Sequence, residues 1–512
     1  MLILGQVLPN AFWIQVVARR KIGNYLYFCD MNTETFSEGA YQALLQDIFQ
    51  RFPSVQQAGF SGGAYKPGLE QMQAFDQALG CPSRAFRSVH VAGTNGKGSV
   101  ANMLASAMSA CGLKTGLYTS PHLIDFRERM LIAGLSASQP EAQLVPKEYV
   151  FDFLTRWMPF IEEHNLSFFE ITTGLAFKWF ADSKVDVAVV ETGLGGRLDS
   201  TNILQPELSI VTTIGLDHCA LLGNTLPEIA AEKAGIFKPG VPALVGERQE
   251  AVADVFVEKA WMLCPLIFAT DKEPSLWYRH EEILEQMDLR ADVQRQNLRT
   301  VLTATDLLKG AFPALRDDAS LLDGIIHTAH YMRFHGRWER LSDQPYVLAD
   351  IGHNPQALGY NFSQLERLVQ NGRFSSLIIV YGVMADKDLD GILPLMPRDA
   401  TYIFATPSTP RALPADEILR RFTAYRNTPS AGIPAAPVRA EAGAVSAGSP
   451  AAPVRAFACG SVREAVQMAV RLAQDLSGPE SRSASAQLLA PPLIYIGGST
   501  FVVADALPFF GR

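Results

Sequence analysis

The stretch Val89 to Leu104, VHVAGTNGKGSVANML, constrains this chain more than any other. A short apolar strand, FRSVHVAG, runs into a glycine loop. Val100, Met103, Leu104, Ala107 and Met108 then recur at helical spacing until Gly112 stops the helix. Strand, loop and helix in that order point to an open α/β sheet, where ligands gather beyond the carboxyl ends of the strands. Successive amides from Gly93 to Gly98 ahead of a helix N-terminus form an anion nest for a polyphosphate, with Lys97 able to reach its outer phosphates. The match to the general phosphate loop is loose. Gly98 stands where Ser or Thr follows the lysine, the nearest hydroxyl is Ser99, and Val91 occupies the place of the first glycine.

The alternation continues. VDVAVVETGLGG and LSIVTTIGLDH read as buried strands that end in glycine-containing loops bearing a charged or imidazole side chain. A second series follows: PYVLADIGHNPQA (345–357), SLIIVYGVMADKD (376–388), TYIFATP (401–407) and LIYIGGST (493–500). With 512 residues the chain exceeds one compact core. The expected boundary lies near Tyr331, between units 31–330 and 331–512. The segments 426–456, with AAPVRA twice, and 477–491 are rich in Ala, Pro, Gly or Ser and read as mobile surface insertions in the second unit.

A net charge of −8 without basic blocks argues against nucleic acid as a partner. The six cysteines (Cys29, Cys81, Cys111, Cys219, Cys264, Cys459) are scattered, so neither a disulfide framework nor a thiolate zinc site is indicated, and a reducing cytoplasm is the expected location. No run of about 18 apolar residues suggests a membrane helix. In residues 1–30 the basic residues follow the apolar part, the reverse of a secretory signal, and the segment reads as an extension outside the core. MNTETFSEGAYQALLQDIFQRFP, from Met31, reads as a capped amphipathic helix start.

The segments VAGTNGKGSV, YTSPHLIDFRERMLIAG, VVETGLGGRLDSTN, TTIGLDHCALLGNTLPEIAAEKAGIFKPG, HGRWE, DIGHNP and VMADKD resemble, in this order, those of folylpolyglutamate synthase and dihydrofolate synthase in the Mur ligase superfamily. ETGLGGRLDSTN and EKAGIFKPG are specific to the folate branch, and AYKPGLE (64–70) resembles its pterin-side loop. The resemblance spans about residues 31–512 without the insertions. It implies a P-loop NTPase-like, mostly parallel sheet domain followed by a smaller Rossmann-like α/β domain. It further implies a cytoplasmic monomer that joins L-glutamate to dihydropteroate and to reduced folate through an acyl phosphate, with ATP and two Mg²⁺ ions.

The resemblance also implies roles. Gly93, Thr94, Asn95, Gly96, Lys97, Gly98 and Ser99 hold the phosphates; Asn297 lies on the adenine side, Arg337 on the phosphates, and Asp350 on the nucleoside with His353 nearby. Ser120, Glu191 and His218 are the metal ligands. Lys97, His218 and Lys233 take part in catalysis, Lys233 as a carbamate. Read alone, Lys233 is a solvated lysine near the end of a short helix that Thr225 and Glu228 cap. The family usually has Pro-Gly-Arg and Asp-Gly-Ala-His-Asn where this chain has His335-Gly336-Arg337 and Asp350-Ile351-Gly352-His353-Asn354.

For the pterin acceptor the resemblance points to Ala64, Tyr65, Lys66 and Pro67, to Ser167, Phe168, Phe169 and Glu170 in a segment read as a mixed strand, and to Leu198, Asp199 and Ser200. Lys387, Arg411 and Ser499 are the candidates for glutamate, an Arg fork being suited to a carboxylate. Three rivals remain at this point: one of the two activities alone, a cell-wall ligase of the same superfamily, and a noncatalytic ATP-binding switch. GLGGRLDSTN speaks against the second. The joint presence of Ser120, Glu191, His218 and Lys233 speaks against the third.

Overall fold

The structure, a computed structural model, describes residues 19–22, 25–28, 35–55, 66–134, 140–428, 439–440, 455–477 and 490–511. Near the start, β1 (Arg19–Ile22) and β2 (Tyr25–Phe28) pair as an antiparallel ribbon. The expected helix is Glu38–Arg51, whose first turn Ser37 caps by accepting a hydrogen bond from Ala40 N.

The first sheet contains β3 (Arg87–Ala92), β4 (Thr115–Tyr118), β5 (Met130–Ala133), β6 (Gln143–Leu144), β7 (Val187–Glu191), β8 (Leu208–Val211), β9 (Ala243–Val245) and β10 (Leu266–Phe268). Their order is β10-β9-β8-β3-β7-β4-β5-β6, parallel as far as β4, with β5 and β6 added antiparallel. β3 lies between β7 and β8 and is buried on both faces, with Val89 and Val91 on one and Ser88 and His90 on the other. Consequently the carboxyl ends of β3, β7 and β8, where Lys97, Glu191 and His218 lie, open on one side of the sheet. The helix Lys97–Ala110 is buried over most of its circumference, with Val100, Met103 and Leu104 in the core against β3, β7 and the helix Gln294–Leu308.

The second sheet contains β11 (Glu339–Asp343), β12 (Tyr346–Asp350), β13 (Leu377–Tyr381), β14 (Ala400–Ala405), β15 (Arg439–Ala440), β16 (Arg455–Cys459) and β17 (Leu493–Gly497), in the order β11-β12-β17-β13-β14-β16-β15. Only β11 runs antiparallel to its neighbour. Separate apolar clusters pack on its two faces, one around Phe362, Tyr402 and Phe422, the other around Val466, Ile494 and Val502.

Several expectations change. The Ser167–Thr173 segment is the cap and opening turns of the helix Phe168–Asp182, not a strand. Its S-F-F-E text is a capping box: Ser167 Oγ accepts from Glu170 N at 3.2 Å, and Glu170 Oε2 accepts from Ser167 N at 2.7 Å. The first Ala/Pro-rich segment is entered by the helix Ala415–Asn427, contains β15, and ends inside β16. Ser477 closes the helix Val462–Ser477. Residues 429–438, 441–454 and 478–489 lie outside the described residues, as do Ala64 and Tyr65. Among the described residues no helix is long and apolar enough to cross a membrane.

Candidate active site

Two cavities meet at the edge where both sheets present their loops. One, of ≈170 Å³, is lined by the phosphate loop Thr94–Ser99 together with Glu191, Asn297, Arg337, Asp350 and His353. The other, of ≈220 Å³, is more apolar and includes Lys66, Phe168, Phe169, Leu198, Asp199 and Ser200 from the first unit and Lys387, Arg411 and Ser499 from the second. Ser120, Pro121, His353 and Thr500 line both, so the cavities adjoin there.

The phosphate loop needs two of its glycines for backbone reasons. Gly93 has φ +148° and Gly96 φ +84°, and a Cβ would stand 1.9 Å from Thr212 Oγ1 at the first and 2.5 Å from Asn297 Oδ1 at the second. Gly98 differs: a Cβ there meets Arg337 Nη2 at 3.5 Å, an ordinary contact. Lys97 Nζ folds back to donate to Gly93 O (3.0 Å) and Thr94 O (3.2 Å). Asn297 is buried beside Gly96 and donates from Nδ2 to Gln294 Oε1 at 2.8 Å.

Glu191, at the end of β7, is 4% exposed. Burial raises its carboxyl above the ordinary range, against the opposing charges of Lys97 and Arg337 and the hydrogen bond from Ser120 N at 3.2 Å. Among the described residues that amide is its one hydrogen-bond donor. A buried carboxylate so poorly compensated, with a serine hydroxyl on the same residue as the amide, suits a hard cation that keeps water and phosphate oxygens in its shell. His218 takes the left-handed conformation, φ +53°, and its charged neighbours are Asp217, Lys387, His353 and Lys97 rather than Glu191. Burial pushes its imidazole down to about 3, leaving it neutral and able to act as a ligand. Among the described residues no group of three or more His, Cys, Asp or Glu side chains is arranged to hold a metal ion by itself.

The solvated reading of Lys233 is overturned. Its helix, Leu226–Ala234, has the expected Thr225–Glu228 capping box, but the side chain turns inward, 4% exposed, and Nζ donates to Gly93 O at 2.8 Å. Burial, with a smaller contribution from the charge of Lys97, lowers its amine to about 7. Both lysines therefore donate to the same loop carbonyl.

In the second cavity the adjacent rings divide the work. Phe168 is 2% exposed and packs on Phe49 and Phe126, while Phe169 stands against Gly193, where a Cβ would come within 2.4 Å of its ring. Asp199 shapes the neighbouring loop by accepting from Leu194 N at 2.8 Å and Thr201 N at 3.0 Å. Lys66 donates to the Asn165 carbonyl. On the far wall Arg411 reaches Asp386 at 2.6 Å and Val55 O at 3.1 Å, Lys387 reaches Asp217 at 2.8 Å, and Ser499 caps the helix Thr500–Ala506. Asp350 accepts from Trp338 N, Gly352 N and Asn361 Nδ2 at 2.7–3.0 Å and so fixes the loop that carries His353. Half-buried Arg337 lies between Asp350 and Glu191, and desolvation lowers its guanidinium against the attraction of both.

Sequence reasoning missed Asp217, Gln294, Asn354 and Arg129. Arg129, buried and lining the second cavity, donates from Nε to His122 Nδ1 at 2.9 Å. Asp217 sits beside His218 in GLDH, and Asn354 and Gln356 follow His353, so proximity to chosen residues was the available signal.

The family descriptions "Mur ligase middle domain" and "Mur ligase, glutamate ligase domain" match residues 91–287 and 336–477. The chain is similar to the folylpolyglutamate synthase of Lacticaseibacillus casei, with 32% identity over 355 residues covering 66% of this chain and 81% of that one. It is also similar to the dihydrofolate synthase/folylpolyglutamate synthase of Bacillus subtilis (strain 168), with 33% identity over 376 residues covering 69% and 84%. The structure of Mycobacterium tuberculosis folylpolyglutamate synthase complexed with ADP superposes with a TM-score of 0.72 at 25% identity, covering 93% of this chain and 99% of that one.

Proposed function

The chain belongs to the folylpolyglutamate synthase and dihydrofolate synthase family of Mur ligases and is an ATP-dependent ligase, and on that premise we propose that it joins L-glutamate both to dihydropteroate and to the γ-carboxyl of reduced folate. The observation that carries the reading is the meeting of the phosphate-loop cavity with the more apolar cavity at Ser120 and His353. A nucleotide γ-phosphate and an acceptor carboxylate brought to that junction from the two cavities can react, and closing the cleft over them keeps water from the acyl phosphate that forms. The amine of glutamate then displaces phosphate, giving an amide, ADP and phosphate.

The loop amides of Gly93–Ser99 orient the phosphates, and Lys97 swings from Gly93 O to the outer oxygens. Asn297 holds the adenine side, Asp350 the nucleoside and Arg337 the phosphates. Ser120, Glu191 and His218 are the residues that would hold magnesium, and bound Mg²⁺ supplies neutralisation of the charge that develops on the transferring phosphoryl group. Lys233, poised near neutrality and secluded, has the free amine that carbamylation by carbon dioxide needs. Phe169 offers its face to the pterin beside Leu198, Asp199 and Ser200. We divide the chain near Tyr331, a division supported by the change from one sheet to the other between Phe268 and Glu339.

The test measures phosphate release from ATP and Mg²⁺ with glutamate, offering dihydropteroate and tetrahydrofolate separately. Release with both is expected. Release with one restricts the enzyme to a single activity, and release with neither sinks the folate assignment.

A further inference from the structure

Asp217 lies in the loop after β8 and lines neither cavity, yet groups from the second unit converge on its carboxylate. Oδ1 accepts from Lys387 Nζ at 2.8 Å, and Oδ2 faces His353 Nε2 and Asn354 Nδ2, each at 3.4 Å. The side chains of Asp217 and Lys387 are 12% and 15% exposed. Asn354 extends the connection. Its Nδ2 also donates to Asn95 Oδ1 of the phosphate loop at 3.0 Å, while Asn95 Nδ2 donates to Gln356 Oε1 at 2.7 Å.

A lysine has four rotatable bonds and an ammonium that prefers water, so a secluded carboxylate is what holds it in one rotamer. Lys387 and His353 both line the acceptor cavity, His353 at its junction with the phosphate loop. We propose that Asp217 is a positioning residue that clasps the two sheet units over the cleft and presents Lys387 and His353 to a carboxylate of the incoming amino acid, with Asn354 tying this clasp to Asn95 of the phosphate loop. The proposal rests on the ligase reading above.

The test uses the full chain and three variants, Asp217→Asn, Lys387→Met and the double variant, each checked by thermal unfolding. Loss of one charge-assisted hydrogen bond predicts that Asp217→Asn raises the KM for glutamate about tenfold while the KM values for ATP and the pterin acceptor move less than about threefold. In the Lys387→Met background the same substitution is expected to change the glutamate KM by less than about twofold, because the two residues act as one unit. An equal loss across all three substrates, an unchanged glutamate KM, or full additivity overturns the proposal. Small-angle scattering of wild type and Asp217→Asn without ligands supplies a reading independent of turnover. A larger radius of gyration in the variant supports the clasp, and superimposable profiles overturn it. Should wild type release no phosphate with either acceptor, the ligase reading fails and the scattering still decides the clasp. If Asp217→Asn does not fold, Asp217→Glu, which keeps the charge but displaces it by one methylene, is judged by the same outcomes.

Discussion

Replacing Lys233 by Met removes the amine and keeps nearly the volume, so it separates chemistry from packing. With an amine at about 7 in the fold and an ordinary value of 10.5, protonation costs the native state roughly 3.5 pH units of affinity, or roughly 4–5 kcal/mol. Between about pH 7 and 10.5 the unfolded chain binds more protons than the native one, so wild-type stability rises with pH through that window and is lowest below it. Against that, Lys233→Met forfeits the bond to Gly93 O, worth about 1–3 kcal/mol. The net expectation at pH 7 is a variant more stable than wild type by about 1–4 kcal/mol, with a flatter stability profile above pH 7. Turnover should fall by at least about a hundredfold if the amine or its carbamate takes part in catalysis. Urea unfolding at several pH values and phosphate release on the same preparations test both parts. Turnover within about threefold of wild type would refute the catalytic role. A variant destabilised equally at pH 6 and pH 9 would refute the claim that burial depresses the amine.

Further outcomes follow from the same geometry. Gly96→Ala should abolish nucleotide binding by calorimetry, because its Cβ stands 2.5 Å from Asn297 Oδ1 at φ +84°, whereas Gly98→Ala, with 3.5 Å to Arg337, should bind within about tenfold of wild type. Glu191→Gln should lose turnover yet gain stability at neutral pH. Its folded carboxyl is raised, so wild type loses stability as pH rises above the ordinary carboxylate range and the variant does not, a difference readable by denaturant titration at pH 5 and 8. Ser167→Ala removes the cap of the helix Phe168–Asp182 and should cost about 1 kcal/mol, with a raised KM for the pterin acceptor because Phe169 sits in that first turn. An unchanged acceptor KM would separate the cap from the site.

Sequence alone determined the α/β class and the strand ends where chemistry collects, because buried parallel strands write themselves as continuous apolar runs that stop at glycine loops. The phosphate loop was legible for the same local reason: strand, glycines and helix are consecutive. Local capping was legible too at Thr225 and Glu228, and was overlooked at Ser167 and Glu170, where two phenylalanines suggested a strand. What no local pattern could state is which way Lys233 points. A lysine near a helix end is solvated by default, and only the packing of Leu226–Ala234 beside the phosphate loop turns it inward onto Gly93 O. The convergence of Lys387, His353 and Asn354 on Asp217 is likewise a product of tertiary structure. Those residues lie 136 to 170 positions from Asp217 along the chain, and only the docking of the second sheet against the first brings them to one carboxylate.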